Sequence, residues 1–328
     1  MDIHPWVWVV TVVVTSAVLL FDVVVVGRRP HEPSMRECAR ALSLFVGAAI
    51  LFGVAITTIS GVDYGAQFFA GWLTEYSLSV DNLFVFIIIM AKLDVPRQYQ
   101  QTALLVGIVL ALLMRGLFIA VGAAAISAFS WVFYLFGIFL IYTAVKLVMS
   151  SDEDETYEDP KIVAFARRHL PLTRDWDGVK LTTREAGKKM LTPMFVVVLT
   201  LGLTDLLFAL DSIPAIFGLT SEPFIVFTAN VFALMGLRQL YFLIGDLLKR
   251  LVYLSIGLSV LLGFIGVKLV LEALHTNELP FINGGEHVEW APEVPIWLSL
   301  VAIIGILTVT TVASLAKDRK DKQAAGRV

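Results

Sequence analysis

Four carboxylates lie inside segments apolar enough to cross a bilayer, and they come in two matching arrangements. One is Glu75-Tyr76-Ser77-Leu78-Ser79-Val80-Asp81-Asn82; the other runs from Thr204-Asp205 through Asp211-Ser212-Ile213-Pro214. Each has an acid, five residues, then an aspartate with a small polar neighbour, Asn82 or Ser212. A carboxylate near the bilayer centre costs roughly 2.5–3.5 kcal/mol on insertion scales, so four cost on the order of 10–14 kcal/mol. That is comparable with the folding stability of a whole domain, about 5–15 kcal/mol. A proton, a basic partner or a bound cation must neutralise them.

Helix geometry sorts the donors. Six residues advance a helix about 600°, so Glu75 and Asp81 do not share a face, nor do Asp205 and Asp211. Seven residues fall only about 20° short of two turns, which stacks Glu75 over Asn82 and Asp205 over Ser212. Pro214 removes the hydrogen bond to the Leu210 carbonyl, and a kink there is expected to cluster that carbonyl with Asp211 and Ser212.

Basic partners are few. Arg115 and Arg238 lie within apolar segments, while Lys146 and Lys268 sit near segment ends, where they can snorkel. Two arginines against four acids leave a charge of about −2, which matches one divalent cation. Carboxylates, an amide and hydroxyls suit hard ions such as Mn²⁺, Ca²⁺ or Mg²⁺, and the distance of every histidine and cysteine from the motifs argues against zinc and copper. Two other readings use the same residues: purely internal ion pairs with the remaining acids protonated, and a proton pathway. Metal-site candidates are therefore Glu75, Asp81, Asn82, Asp205, Asp211 and Ser212, with Arg115 and Arg238 balancing charge.

The elements that position these residues are membrane helices. A mean hydropathy of +0.81 places the chain among polytopic membrane proteins. With 58% hydrophobic and 16% charged residues and a net charge of −3, nothing suggests nucleic acid as a partner. A single cysteine, Cys38, excludes an internal disulfide and a Cys/His zinc cluster. Apolar segments of spanning length run over about 6–26, 41–60, 66–91, 101–124, 130–149, 193–219, 223–247, 251–273 and 295–316. The first lacks a basic n-region and a small-residue cleavage site, so it reads as a retained helix. Lys and Arg crowd alternate loops (Arg28, Arg29, Arg36 and Arg40; Lys92 and Arg97; the 151–191 loop; Lys249 and Arg250; Lys317 onward) and are missing from the others. The positive-inside rule then puts the N-terminus outside and the C-terminus in the cytoplasm.

Aligning the acidic motifs brings Arg115 into step with Arg238 and Lys146 with Lys268. Two three-helix units that enter from opposite sides form an inverted repeat, typical of secondary transporters. The expected fold is an all-α polytopic membrane protein of about nine transmembrane helices. Two N-terminal helices occupy 1–62, the first repeat 63–150, a charged cytoplasmic loop 151–192, the second repeat 193–275, an outer loop 276–294, and a final helix with cytoplasmic tail 295–328. Within 151–192 the sequence suggests a solvated linker, with one short amphipathic helix at most, near 160–170. Asn283-Gly284-Gly285 signals a turn in the outer loop, and Asp22 reads as an isolated capping or snorkelling residue.

Glu75…Ser79-Val80-Asp81-Asn82 together with Thr204-Asp205…Asp211-Ser212-Ile213-Pro214-Ala215-Ile216-Phe217 resembles the TerC family, in its Alx-like branch, of the LysE-like transporter superfamily. The similarity covers nearly the whole chain. It implies an integral membrane protein of metal-ion homeostasis, with manganese efflux as the activity, tellurite resistance as the origin of the name, and membrane-protein assembly as a role of some members. The expectation is thus a non-enzymatic exporter of divalent cations, Mn²⁺ foremost, in the inner membrane. It would be proton-coupled and would need no fixed cofactor; its partners would be the lipid bilayer, the cation and protons. The alternative is a membrane scaffold or assembly factor with a structural polar core. The oligomeric state is not encoded legibly.

Overall fold

Helix boundaries follow local chemistry. Ser34 opens one helix by accepting a hydrogen bond from the Glu37 N–H at 3.2 Å, and the Ser-x-x-Glu spacing is that of a capping box. Pro193 and Pro223 each occupy the first position of a helix, where the missing N–H would have had no intrahelical partner. A computed structural model of the chain describes residues 3–28, 33–129, 131–150, 171–173, 175–185, 188–248, 251–277, 279–280, 282–288 and 290–325. In it the helices are α1 (Pro5–Arg28), α2 (Met35–Ser60), α3 (Val62–Lys92), α4 (Arg97–Ala128) and α5 (Val132–Ser150), then α6 (Pro193–Phe217), α7 (Pro223–Met235), α8 (Leu237–Leu248), α9 (Leu254–His275) and α10 (Ile296–Ala325).

Counting α7 with α8 as one crossing, eight of these are long and apolar enough to span a bilayer among the described residues. The 24-residue α1 is the ninth segment. The chain is a multi-pass integral membrane protein. The segment at 223–247 crosses as expected, its helix interrupted at the single residue Gly236, between α7 and α8. One expectation needs correction: α6 is continuous through Pro214, and Asp211 and Ser212 do not cluster. Asp211 and Ser212 therefore keep their helical separation of about 100° and face different neighbours.

The packing is paired: α3 lies against α7, α4 against α6, and α5 against α9. Of these helices α7 is the most enclosed, with Ile225, Val226, Ala229, Ala233 and Leu234 all buried. Phe21 on α1, Leu51 on α2 and Val309 on α10 are exposed, as lipid-facing side chains must be. The α5–α9 crossing is the tightest. A Cβ built on Gly137 would stand 2.9 Å from the Gly266 carbonyl oxygen, and one on Gly266 2.9 Å from that of Gly137. Only glycine lets two backbones meet so closely. The 31 residues of α3 and 32 of α4 make rods of about 46–48 Å, longer than a hydrocarbon core of about 30 Å. Such rods must tilt or emerge.

The described part of the charged loop is more ordered than a linker. Thr182–Glu185 (β1) pairs antiparallel with Lys188–Leu191 (β2), a hairpin whose short strands show no apolar alternation. Trp176 stacks near Tyr99 of α4 at 5.8 Å, and Thr192 Oγ donates to the Lys180 carbonyl. The Asp177 carboxylate accepts from the Thr183 hydroxyl at 2.7 Å and from Lys180 Nζ at 3.1 Å. These bonds, Thr183 first, hold its carboxyl below the ordinary aspartate range. The helix considered for 160–170 lies outside the described residues, as does the Asp22 side chain. In the outer loop the expected turn is present, with Asn283, Gly284 and Gly285 all at positive φ. Asn277 closes that loop, its amide donating to the Ile282 and Glu286 carbonyls and its oxygen accepting from Tyr134 Oη at 3.1 Å.

Candidate functional site

Where α3, α4, α6 and α7 cross, one arginine gathers the buried polar side chains. Arg115 is 1% exposed, deep within α4. Its Nε and Nη2 donate to the two oxygens of Asp205 on α6, at 3.1 and 3.2 Å, a bidentate fork. Its Nη1 donates to Glu75 Oε1 on α3, to Ser212 Oγ on α6 at 3.1 Å and to Asn230 Oδ1 on α7 at 2.9 Å. Glu75 is 0% exposed, and its second oxygen, Oε2, has no hydrogen-bond partner among the described residues.

Each element orients its contribution through local sequence. Asp205 is the thirteenth of the 25 residues of α6, and Ser212, seven further on, returns to the same stripe. Ser79, one turn beyond Glu75, reaches Oε1 at 3.5 Å. Asn230 donates its Nδ2 to the Val226 carbonyl at 3.1 Å, which fixes the amide so that Oδ1 points at the guanidinium.

Of the expected residues, Glu75, Asp205, Ser212 and Arg115 are brought together. Asp211 is not in this set. It is half-buried and accepts from Thr143 of α5 at 3.1 Å, because one residue before Ser212 is about 100° around the helix. Asn82 is buried about two turns further along the same stripe of α3 but makes no described bond to the cluster. Arg238 is buried at the start of α8, beyond the Gly236 break, where it donates to the Gln239 amide oxygen once that amide is oriented to satisfy both its groups. The Asp81 side chain lies outside the described residues. Asn230 and Ser79 join the cluster from outside the set that spacing points to. The available signal for Asn230 was an amide in the apolar run Phe227-Thr228-Ala229-Asn230-Val231.

Among the described residues no three His, Cys, Asp or Glu side chains converge. The set is two carboxylates with a hydroxyl and an amide oxygen, all donors that a hard cation accepts. It is also a satisfied ion network, since all its described acceptors are spent on one guanidinium except Glu75 Oε2.

The profile of the Integral membrane protein TerC family matches residues 60–322, which include every side chain of this cluster. The chain belongs to the TerC family. It is 48% identical over 302 residues to an uncharacterized membrane protein of Mycobacterium tuberculosis, covering 91% of this chain and 76% of that one. With the thylakoid membrane protein TERC of Arabidopsis thaliana it shares 41% identity over 242 residues, 74% of this chain and 63% of the relative. With the putative membrane-bound redox modulator Alx of Escherichia coli it shares 36% over 276 residues, 81% and 86% of the two chains. No solved structure matches it.

Proposed function

We propose that this TerC-family chain exports a hard divalent cation, Mn²⁺ foremost, across the cell's inner membrane in exchange for protons. The observation that carries the reading is the convergence of Glu75 and Asp205, one from each proposed repeat, with Ser212 and Asn230 in a dry site and one carboxylate oxygen left over. Buried groups of this kind at membrane depth mark ion pathways. The paired packing supports the repeats as well: a two-fold that exchanges α3 with α6 and α4 with α7 carries the α3–α7 contact onto α6–α4. Rocking one unit against the other would open the cluster to alternate sides.

Charge balance supplies the proton step. Glu75, Asp205 and Arg115 together carry −1, and a proton on Glu75 Oε2 would bring them to zero. Loading the cation would release that proton, and reloading it from outside would reset the site. In proteoliposomes an inward pH gradient should drive Mn²⁺ outward, and Asp205→Asn should abolish that flux. Flux indifferent to pH gradient and to Asp205→Asn would reject the proposal.

A structural core in a scaffold or assembly factor is the second reading, favoured by the arginine whose described bonds already satisfy most of the cluster. Flux by the purified protein alone separates the two. For orientation, the loop charges support an outer N-terminus and a cytoplasmic C-terminus. A cysteine placed at Gly285 should label from outside; labelling only after permeabilisation would reverse the assignment.

A further inference from the structure

We infer that Arg115 is a tethered stand-in for the transported cation, occupying its oxygens and leaving when it arrives. This rests on the export reading and adds the device that lets cargo go. The guanidinium engages both oxygens of Asp205, Oε1 of Glu75, Oγ of Ser212 and Oδ1 of Asn230, with N···O distances of 2.9–3.2 Å for all but the closer Glu75 contact. These are the oxygens a hard divalent ion would take, at about 2.0–2.6 Å. A metal ion and a guanidinium cannot both lie at the centre of one such set.

The charges point the same way. Glu75 and Asp205 supply −2, which a divalent ion cancels alone, whereas the guanidinium cancels half. Glu75 Oε2 is the buried oxygen of the set that no described group satisfies, so the guanidinium fills the site less completely than a divalent ion would. The exchange is then cation in and guanidinium out, followed by guanidinium in and cation out. Because Arg115 is fixed to α4, it competes at the high effective concentration of an intramolecular ligand. It can thus displace a tightly held ion from oxygens that are buried from solvent. Arginine suits the task because it stays charged and binds the Asp205 carboxylate as a fork, which lysine does not.

The test is Mn²⁺ binding to purified full-length protein, read as metal-dependent thermal shift and by titration. Arg115→Gln should bind Mn²⁺ roughly tenfold or more tightly than wild type, the competitor's charged hydrogen bonds being gone. Its efflux in proteoliposomes should be lost. Arg115→Lys separates occupancy from charge: a stand-in predicts affinity between wild type and Arg115→Gln, because an ammonium fills fewer of the five contacts. Equal affinity in wild type and Arg115→Lys means charge alone matters, and overturns the inference. If Arg115→Gln folds only in Mn²⁺, the ion has replaced the side chain and the inference stands. If Mn²⁺ neither rescues Arg115→Gln nor binds Arg115→Lys more tightly than wild type, it falls. Wild-type flux reads the export proposal separately: flux without an affinity gain sinks only the stand-in. An affinity gain without flux keeps the stand-in and rejects export.

Discussion

Arg115→Met, without added metal, should lower the unfolding stability of the purified protein by about 3–5 kcal/mol, a large fraction of the total. The reason is what it leaves behind. Glu75 and Asp205 are almost fully buried and lose the partner that fills three of their four oxygens. Ser212 and Asn230 lose their acceptor roles as well, while Asn230 stays pinned by Val226. Removing one member of a buried ion network costs far more than removing all of them. The triple variant Arg115→Met, Glu75→Gln, Asp205→Asn should therefore recover most of the loss, because no charge remains to be desolvated. Thermal unfolding in detergent gives the comparison. A triple variant no more stable than Arg115→Met would mean that the cluster is held by packing and not by charge.

Gly266→Leu should follow in size, at or above the upper end of the roughly 1–3 kcal/mol typical of overpacking. Besides the Ile141 Cγ1 at 2.9 Å, it meets two backbone atoms: the Gly137 carbonyl at 2.9 Å and the Ile141 nitrogen at 3.0 Å from the Cβ alone. Neither can turn aside as a side chain would, so α5 and α9 must separate along their length. Gly263→Ala is the control on the same helix. Its Cβ would rest 3.7 Å from that of Ala144, an ordinary contact. Alanine also favours helix over glycine by about 1 kcal/mol, so this variant should be neutral or stabilising. Similar losses from both changes would show that α9 tolerates no added volume anywhere, rather than at the crossing.

Much of this architecture is legible in the chain because membrane helices announce themselves by length and apolarity. The seven-residue spacing from Asp205 to Ser212 was enough to place both on one stripe, and both meet Arg115. What spacing could not reveal is which helix a stripe faces. Asp211 looked like a partner of Ser212 but turns to Thr143. Two arginines looked interchangeable by repeat, yet Arg115 alone bridges Glu75 and Asp205 in the described bonds, while Arg238 follows a helix break that Gly236 did not advertise. The hairpin was hidden for another reason. Thr182–Glu185 and Lys188–Leu191 carry no apolar period, and contacts from outside the strands, such as Trp176 on Tyr99, hold the surrounding loop in place.

The bond between Arg115 and Asp205 spans 90 residues of chain, whereas that between Arg115 and Glu75 spans 40. A ribosome adding about 5–20 residues per second reaches Asp205 some 5–18 s after Arg115. During that interval α3 and α4 can enter the bilayer as a hairpin, with Glu75 and Arg115 already neutralising each other. The arginine then waits with its Nε–Nη2 edge uncommitted until α6 delivers the second acid. The same side chain that organises the finished site thus escorts the first acid into the membrane, and the order of helices along the chain makes that escort timely.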